Sequence, residues 1–153
     1  MELLLSILTD ALFVSLLAWC SYTDIKKRIV SNPSVILLLC LGLVHMALMV
    51  LAGNTWWTYP AGLLLSVPFV IGWLRNGMGA GDVKLIMAIG LYLGLLNTLV
   101  SFALMVPVLA VLMIRSWTKT KTLKGVAIPL TPVIAFGATG AVALGYLYAF
   151  MQL

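Results

Sequence analysis

The chain has 153 residues, 63% of them apolar and only 8% charged, with a mean hydropathy of +1.18. Soluble domains carry about 25% charged residues, so this composition excludes a soluble globular protein and indicates an integral membrane protein. The apolar runs are continuous and do not alternate, which predicts helices and excludes a barrel.

Charge placement says more than the net +5. The nine basic residues fall into three clusters: Lys26, Lys27 and Arg28; Arg75 and Lys84; and Arg115, Lys119, Lys121 and Lys124. Each cluster flanks an apolar span, so they read as orientation signals and contacts to anionic lipid rather than a nucleic-acid surface. Cys20 and Cys40 form no CxxC pair, and no metal or other cofactor is expected. Met1 to Cys20 lacks the basic start of a secretory signal and reads as part of the first spanning helix.

Taken in order, the first helix is expected from Leu3 or Ala11 to Lys27, with Thr9-Asp10 able to cap it in the second case. Asp24 stands near its end. Asp10 lies about 21 Å from Asp24 along that helix, at ~1.5 Å per residue, and is expected to be an anchor on the far side. Ser31-Asn32-Pro33 opens the second helix, with Asn32 as N-cap and Pro33 as first helical residue, and the helix runs to Ala52. Gly53 to Pro60 is a turn whose Trp56 and Trp57 form an interfacial belt. A third helix covers residues 61–74, followed by the glycine loop from Arg75 to Gly81. A fourth helix starts at Asp82 or Val83.

The 32 residues from Val83 to Ile114 are too many for one crossing and tight for two, since a crossing takes about 20 residues. If all basic clusters lie on one side, two crossings are needed, with the turn at Gly94-Leu95-Leu96-Asn97 and a kink at Pro107. Gly90 and Gly94 form a small-residue pattern suited to helix contact, and His45 is expected to be packed or hydrogen-bonded. After a basic loop from Arg115 to Gly125, the last helix runs from Pro129 to Phe150. The expected fold is therefore all-α: a polytopic bundle of about six transmembrane helices forming a single domain over residues 1–153. Basic loops are expected on the cytoplasmic side of a bacterial inner membrane, with both termini outside.

Within this apolar chain, Gly77-Met78-Gly79-Ala80-Gly81-Asp82-Val83-Lys84 stands apart. An aspartate among apolar spans is costly and calls for a function, and glycines let another backbone approach closely. The six-helix arrangement brings Asp24 and Asp82 to the same membrane face. Two carboxyl groups sharing a proton can activate water and protonate a leaving amine, which is aspartic protease chemistry. Asp82 opens a helix, where the dipole favours its anion, and Asp24 ends one, where the neutral acid is favoured. Asp82 is thus assigned as base and Asp24 as proton carrier.

Gly79-Ala80-Gly81-Asp82-Val83-Lys84 resembles the GxGDxK signature of the type IV prepilin peptidases. Asp24 followed by Val30-Ser31-Asn32 resembles that family's first motif, with Ser31 where the family has proline. Ile128-Pro129-Leu130-Thr131-Pro132 and Ala135-Phe136-Gly137-Ala138 resemble its last-helix segment. The resemblance implies catalytic Asp24 and Asp82, with Gly79, Gly81, Lys84 and Asn32 shaping the site. It implies a cofactor-free endopeptidase that removes the basic leader of prepilin-like precursors at the cytoplasmic face. Without the four-cysteine zinc domain of longer members, the chain resembles the short forms that serve Flp/Tad pili, and no methyl-donor site is expected.

Two other classes are consistent with the composition. A carrier or proton channel would use the aspartates, although carriers place such charges near the midplane between repeats. A non-catalytic subunit of a pilus or secretion machine would need no aspartate pair.

Overall fold

The computed structural model describes residues 2–75, 78–120 and 130–151, the side chains of 2, 3 and 116–120 excepted. Gly77, the basic residues Lys121 and Lys124, and Ile128-Pro129 lie outside the described residues. Among the described residues every regular element is helical: α1 (Glu2–Lys27), α2 (Asn32–Leu51), α3 (Thr58–Leu64), α4 (Val67–Leu74), α5 (Ala80–Thr120) and α6 (Thr131–Met151).

Four helices are long and apolar enough to cross a membrane, namely those over Leu4–Lys27, Asn32–Leu51, Ala80–Arg115 and Thr131–Met151. The expected six separate long helices do not appear as such. The third is shorter and broken into α3 and α4. Pro68 has no N–H to continue the ladder from Leu64, and the chain tightens at Leu65 and Ser66, whose N–H groups bond back to the carbonyls of Gly62 and Leu63. The fourth and fifth are joined into α5, interrupted only at Gly94 (φ 71°, ψ 179°). That left-handed conformation suits glycine.

The interruption reverses the chain. Gly90 packs on Gly62 and Gly94 on Thr58, so the first limb of α5 runs antiparallel to α3. Eight residues beyond Gly94, Phe102 lies against Phe69 of α4 with ring centroids 5.2 Å apart. The second limb therefore returns alongside the α3–α4 segment, and Gly94 makes the turn expected over residues 94–97. The helix then continues past Arg115, where a loop was expected.

Several other boundaries shift. α1 is uninterrupted from Glu2, so Thr9-Asp10 caps nothing. It ends on Arg28, a non-glycine residue at φ 53°, whose N–H bonds to the Asp24 carbonyl at 2.7 Å. The N-cap of α2 is Ser31, not Asn32. Extended backbone at Ser31 (φ −71°, ψ 135°) is what a residue before the helix requires.

The core lies where α1, α2, α5 and α6 meet, built from Phe13, Leu17, Leu38, Leu85, Ile86 and Ile134. Hydrocarbon outside offers no hydrophobic gain for helix association, so close packing of small residues must hold the bundle. Gly62 against Gly90 and Gly137 against Ser101 supply that packing. Large apolar side chains such as Leu12, Ile36, Val106 and Leu147 stay exposed on the perimeter, as a lipid-facing surface requires.

Candidate active site

Asp24 is buried near the end of α1, where it is 9% exposed. Its Oδ2 is the one buried side-chain oxygen or nitrogen without a hydrogen-bond partner among the described residues. Such atoms are costly and mark places where a protein retains reactivity or awaits a ligand. No ion pair joins Asp24 to Arg28 among the described residues, where Arg28 ends the helix in the left-handed region.

Asp82 is half-buried in the first turn of α5. The Gly79 carbonyl accepts the bond from Val83 N–H at 3.3 Å, so Asp82 sits where free helix N–H groups favour a carboxylate. A Cβ on Gly79 would lie 3.2 Å from Asp82 Oδ2, so glycine gives the carboxylate room over the helix start. The opposite oxygen, Oδ1, accepts a hydrogen bond from the buried Thr131 hydroxyl at 3.0 Å. The two aspartates are close enough for their charges to interact.

The remaining predicted residues gather around this pair. A Cβ on Gly81 would stand 3.1 Å from Val30 Cβ, so this glycine lets the segment after α1 pack directly onto the start of α5. Lys84 Nζ donates to Asn32 Oδ1 at 3.1 Å, on the exposed side. Asn32 therefore links two segments rather than capping a helix, and Lys84 has a partner on α2. The Ser31 and Ser34 hydroxyls share a hydrogen bond of 2.6 Å beside them. The site is thus assembled from four parts of the chain: the end of α1, the start of α2, the first turn of α5 and the start of α6. Thr131 was not singled out by sequence reasoning as a site residue. Its signal was the position between Leu130 and Pro132 at a helix start.

Two carboxyl groups from separate helices, one oxygen free and one carboxylate held by a hydroxyl, form a constellation able to activate water. Residues 11–116 match the type IV leader peptidase family. The chain belongs to that family. The match includes both aspartates and the whole Gly79–Lys84 segment, and it makes this leader peptidase-like protein a membrane protease acting on prepilin-like substrates in general. Thr131 lies beyond the matched residues, so the family match alone does not reach the hydroxyl that holds Asp82. Comparison with curated proteins and with solved structures gave no match.

A second polar group occupies the other end of the bundle. Asp10, expected to be an anchor on the far side, lies there and accepts hydrogen bonds from the Tyr92 hydroxyl at 2.6 Å and the Tyr146 hydroxyl at 2.5 Å. His45 is packed and hydrogen-bonded as expected, with its ring stacked on Tyr92 at 4.2 Å and Nδ1 3.2 Å from Thr9 Oγ1. α5 and α6 are thereby joined at one end through Asp82 and Thr131, and α1, α5 and α6 at the other through Asp10, Tyr92 and Tyr146.

Proposed function

We infer that this leader peptidase-like protein is an aspartic endopeptidase whose two catalytic groups are Asp24 and Asp82, and that it cleaves the basic leader from Flp/Tad-type prepilins. The observation that carries the reading is the convergence of Asp24 and Asp82, from helices α1 and α5, at one end of the bundle. Asp82, hydrogen-bonded by Thr131 and placed at a helix start, is the base that takes a proton from water. Asp24, with a partnerless buried oxygen, holds the proton.

In that arrangement water attacks the scissile carbonyl carbon while Asp82 accepts its proton and Asp24 protonates the carbonyl oxygen. The tetrahedral intermediate then collapses. Its carbon–nitrogen bond breaks as Asp82 delivers a proton to the leaving amine, and the hydroxyl proton returns to Asp24. A prepilin presents an apolar helix with a basic leader, which matches lateral approach through lipid to the ends of α1 and α5. Lys26, Lys27, Arg28, Arg75 and Lys84 lie near the ends of helices that carry the aspartates or flank them, which favours a cytoplasmic location for this end.

The test is cleavage of a co-expressed Flp-type prepilin in membranes by native protein, Asp24→Asn and Asp82→Asn. Loss of processing in both variants at normal protein levels is the expected result. Processing that survives either substitution would remove the two-aspartate mechanism.

A further inference from the structure

A cavity of about 450 Å³ opens at the end of the bundle opposite Asp24 and Asp82, lined by Asp10, His45, Asn54, Tyr59, Tyr92 and Tyr146 among others. Its size is that of a small-molecule site, ~300–1,000 Å³. Its wall has one carboxylate and three tyrosines, and no Lys or Arg lines it among the described residues. That charge pattern disfavours an anion and suits a cation.

The hydrogen bonds around the cavity leave acceptors on Asp10 and Asn54. Each Asp10 oxygen takes one tyrosine hydroxyl and keeps lone pairs for another donor. The Thr9 hydroxyl lies 2.9 Å from the Ser6 carbonyl oxygen and 3.2 Å from His45 Nδ1, and a neutral His45 ring keeps one nitrogen as an acceptor. Asn54 directs its amide N–H to Met49 Sδ at 3.5 Å, which leaves its carbonyl oxygen. Aromatic faces attract cations within ~6 Å, and Tyr59 and Tyr146 line the same space, whereas the Tyr92 ring is covered by Phe13 and His45 at 3.8 and 4.2 Å.

We propose that this cavity is a binding site for a primary ammonium group, carried either by a free small amine or by an aminophospholipid headgroup. The N–H donors of an alkylammonium suit the Asp10 carboxylate and the Asn54 carbonyl oxygen, with His45, Tyr59 and Tyr146 on the same wall. The site is separate from the peptidase carboxylates: Asp10 and Asp24 are about 21 Å apart along α1.

The test uses the full chain and two variants. Asp10→Asn removes the charge. Gly145→Leu fills the cavity wall at a position where a Cβ meets nothing within 4 Å and leaves the Asp10 bonds in place. Thermal unfolding is followed in detergent against ethanolamine, and in nanodiscs of phosphatidylethanolamine against phosphatidylglycerol. Stabilisation by ethanolamine, with the apparent Kd raised tenfold or more by both variants, assigns a free amine. The same dependence confined to phosphatidylethanolamine discs assigns the lipid headgroup. If Asp10→Asn does not fold, Gly145→Leu decides alone. No stabilisation of native protein in either arm overturns the proposal, and so does stabilisation that Gly145→Leu leaves unchanged.

Discussion

The Thr131 hydroxyl, the first residue of α6, donates to Asp82 Oδ1 at 3.0 Å across a sequence separation of 49 residues. Thr131 is fully buried, so water cannot replace it. Thr131→Val keeps the shape and removes the donor. Hydrogen bonds to charged groups are worth about 1.5–3 kcal/mol, so prepilin processing is expected to slow roughly 10- to 100-fold at normal protein levels. Thr131→Ser restores most of it. Equal loss in both variants would mean that the methyl packing, not the hydroxyl, matters.

Val30 and Gly81 make the second contact between separate motifs. Gly81→Ala puts a Cβ 3.1 Å from Val30 Cβ, an overpacking that costs about 1–3 kcal/mol. Reduced processing and a lower unfolding temperature are expected, and Val30→Ala added to Gly81→Ala is expected to recover at least half of the loss. Additive losses in the double variant would refute this pairing.

The α3–α5 contact is made by backbone. A Cβ on Gly62 would lie 2.2 Å from the Gly90 carbonyl oxygen, and one on Gly90 2.5 Å from the Gly62 carbonyl oxygen. Neither obstacle can swing aside. Gly62→Ala and Gly90→Ala are each expected to destabilise by about 3 kcal/mol, read by thermal unfolding in detergent. Gly72→Ala, where nothing stands within 4 Å, is the control and should change stability by less than ~0.5 kcal/mol.

Tyr92→Phe removes the 2.6 Å bond to Asp10 but keeps the ring stacked on Phe13 at 3.8 Å. A loss of about 1–3 kcal/mol in unfolding free energy is expected. Unchanged stability would show that the hydroxyl contributes nothing to holding α1 against α5.

The aspartates were legible because charge is scarce in this chain and glycines surround one of them. Asp24 and Asp82 stood out by cost, and Gly81 by the need for close approach, which Val30 now explains. Thr131 did not stand out, because a hydroxyl in an apolar helix commonly bonds its own backbone, as Ser15 and Ser21 do here. Asp10 was placed on the correct side, but its partners were not legible, for a related reason. The tyrosines that engage it lie 82 and 136 residues away, beyond any local pattern. The reversal of α5 at Gly94 was legible, but the parting of α3 from α4 at Ser66 was not, because the segment around it stays apolar.

The two polar clusters on α1 carry a consequence for the bilayer. Asp10 and Asp24 are about 21 Å apart along one unbroken helix, while the hydrocarbon core of a bilayer is ~30 Å thick. Both cannot reach the headgroups, although α1 itself is long enough to cross. Asp10 has two tyrosine hydroxyls as internal solvent and can stay below the surface on its side. That leaves the opposite end of α1 free to set Asp24 at the depth where water enters.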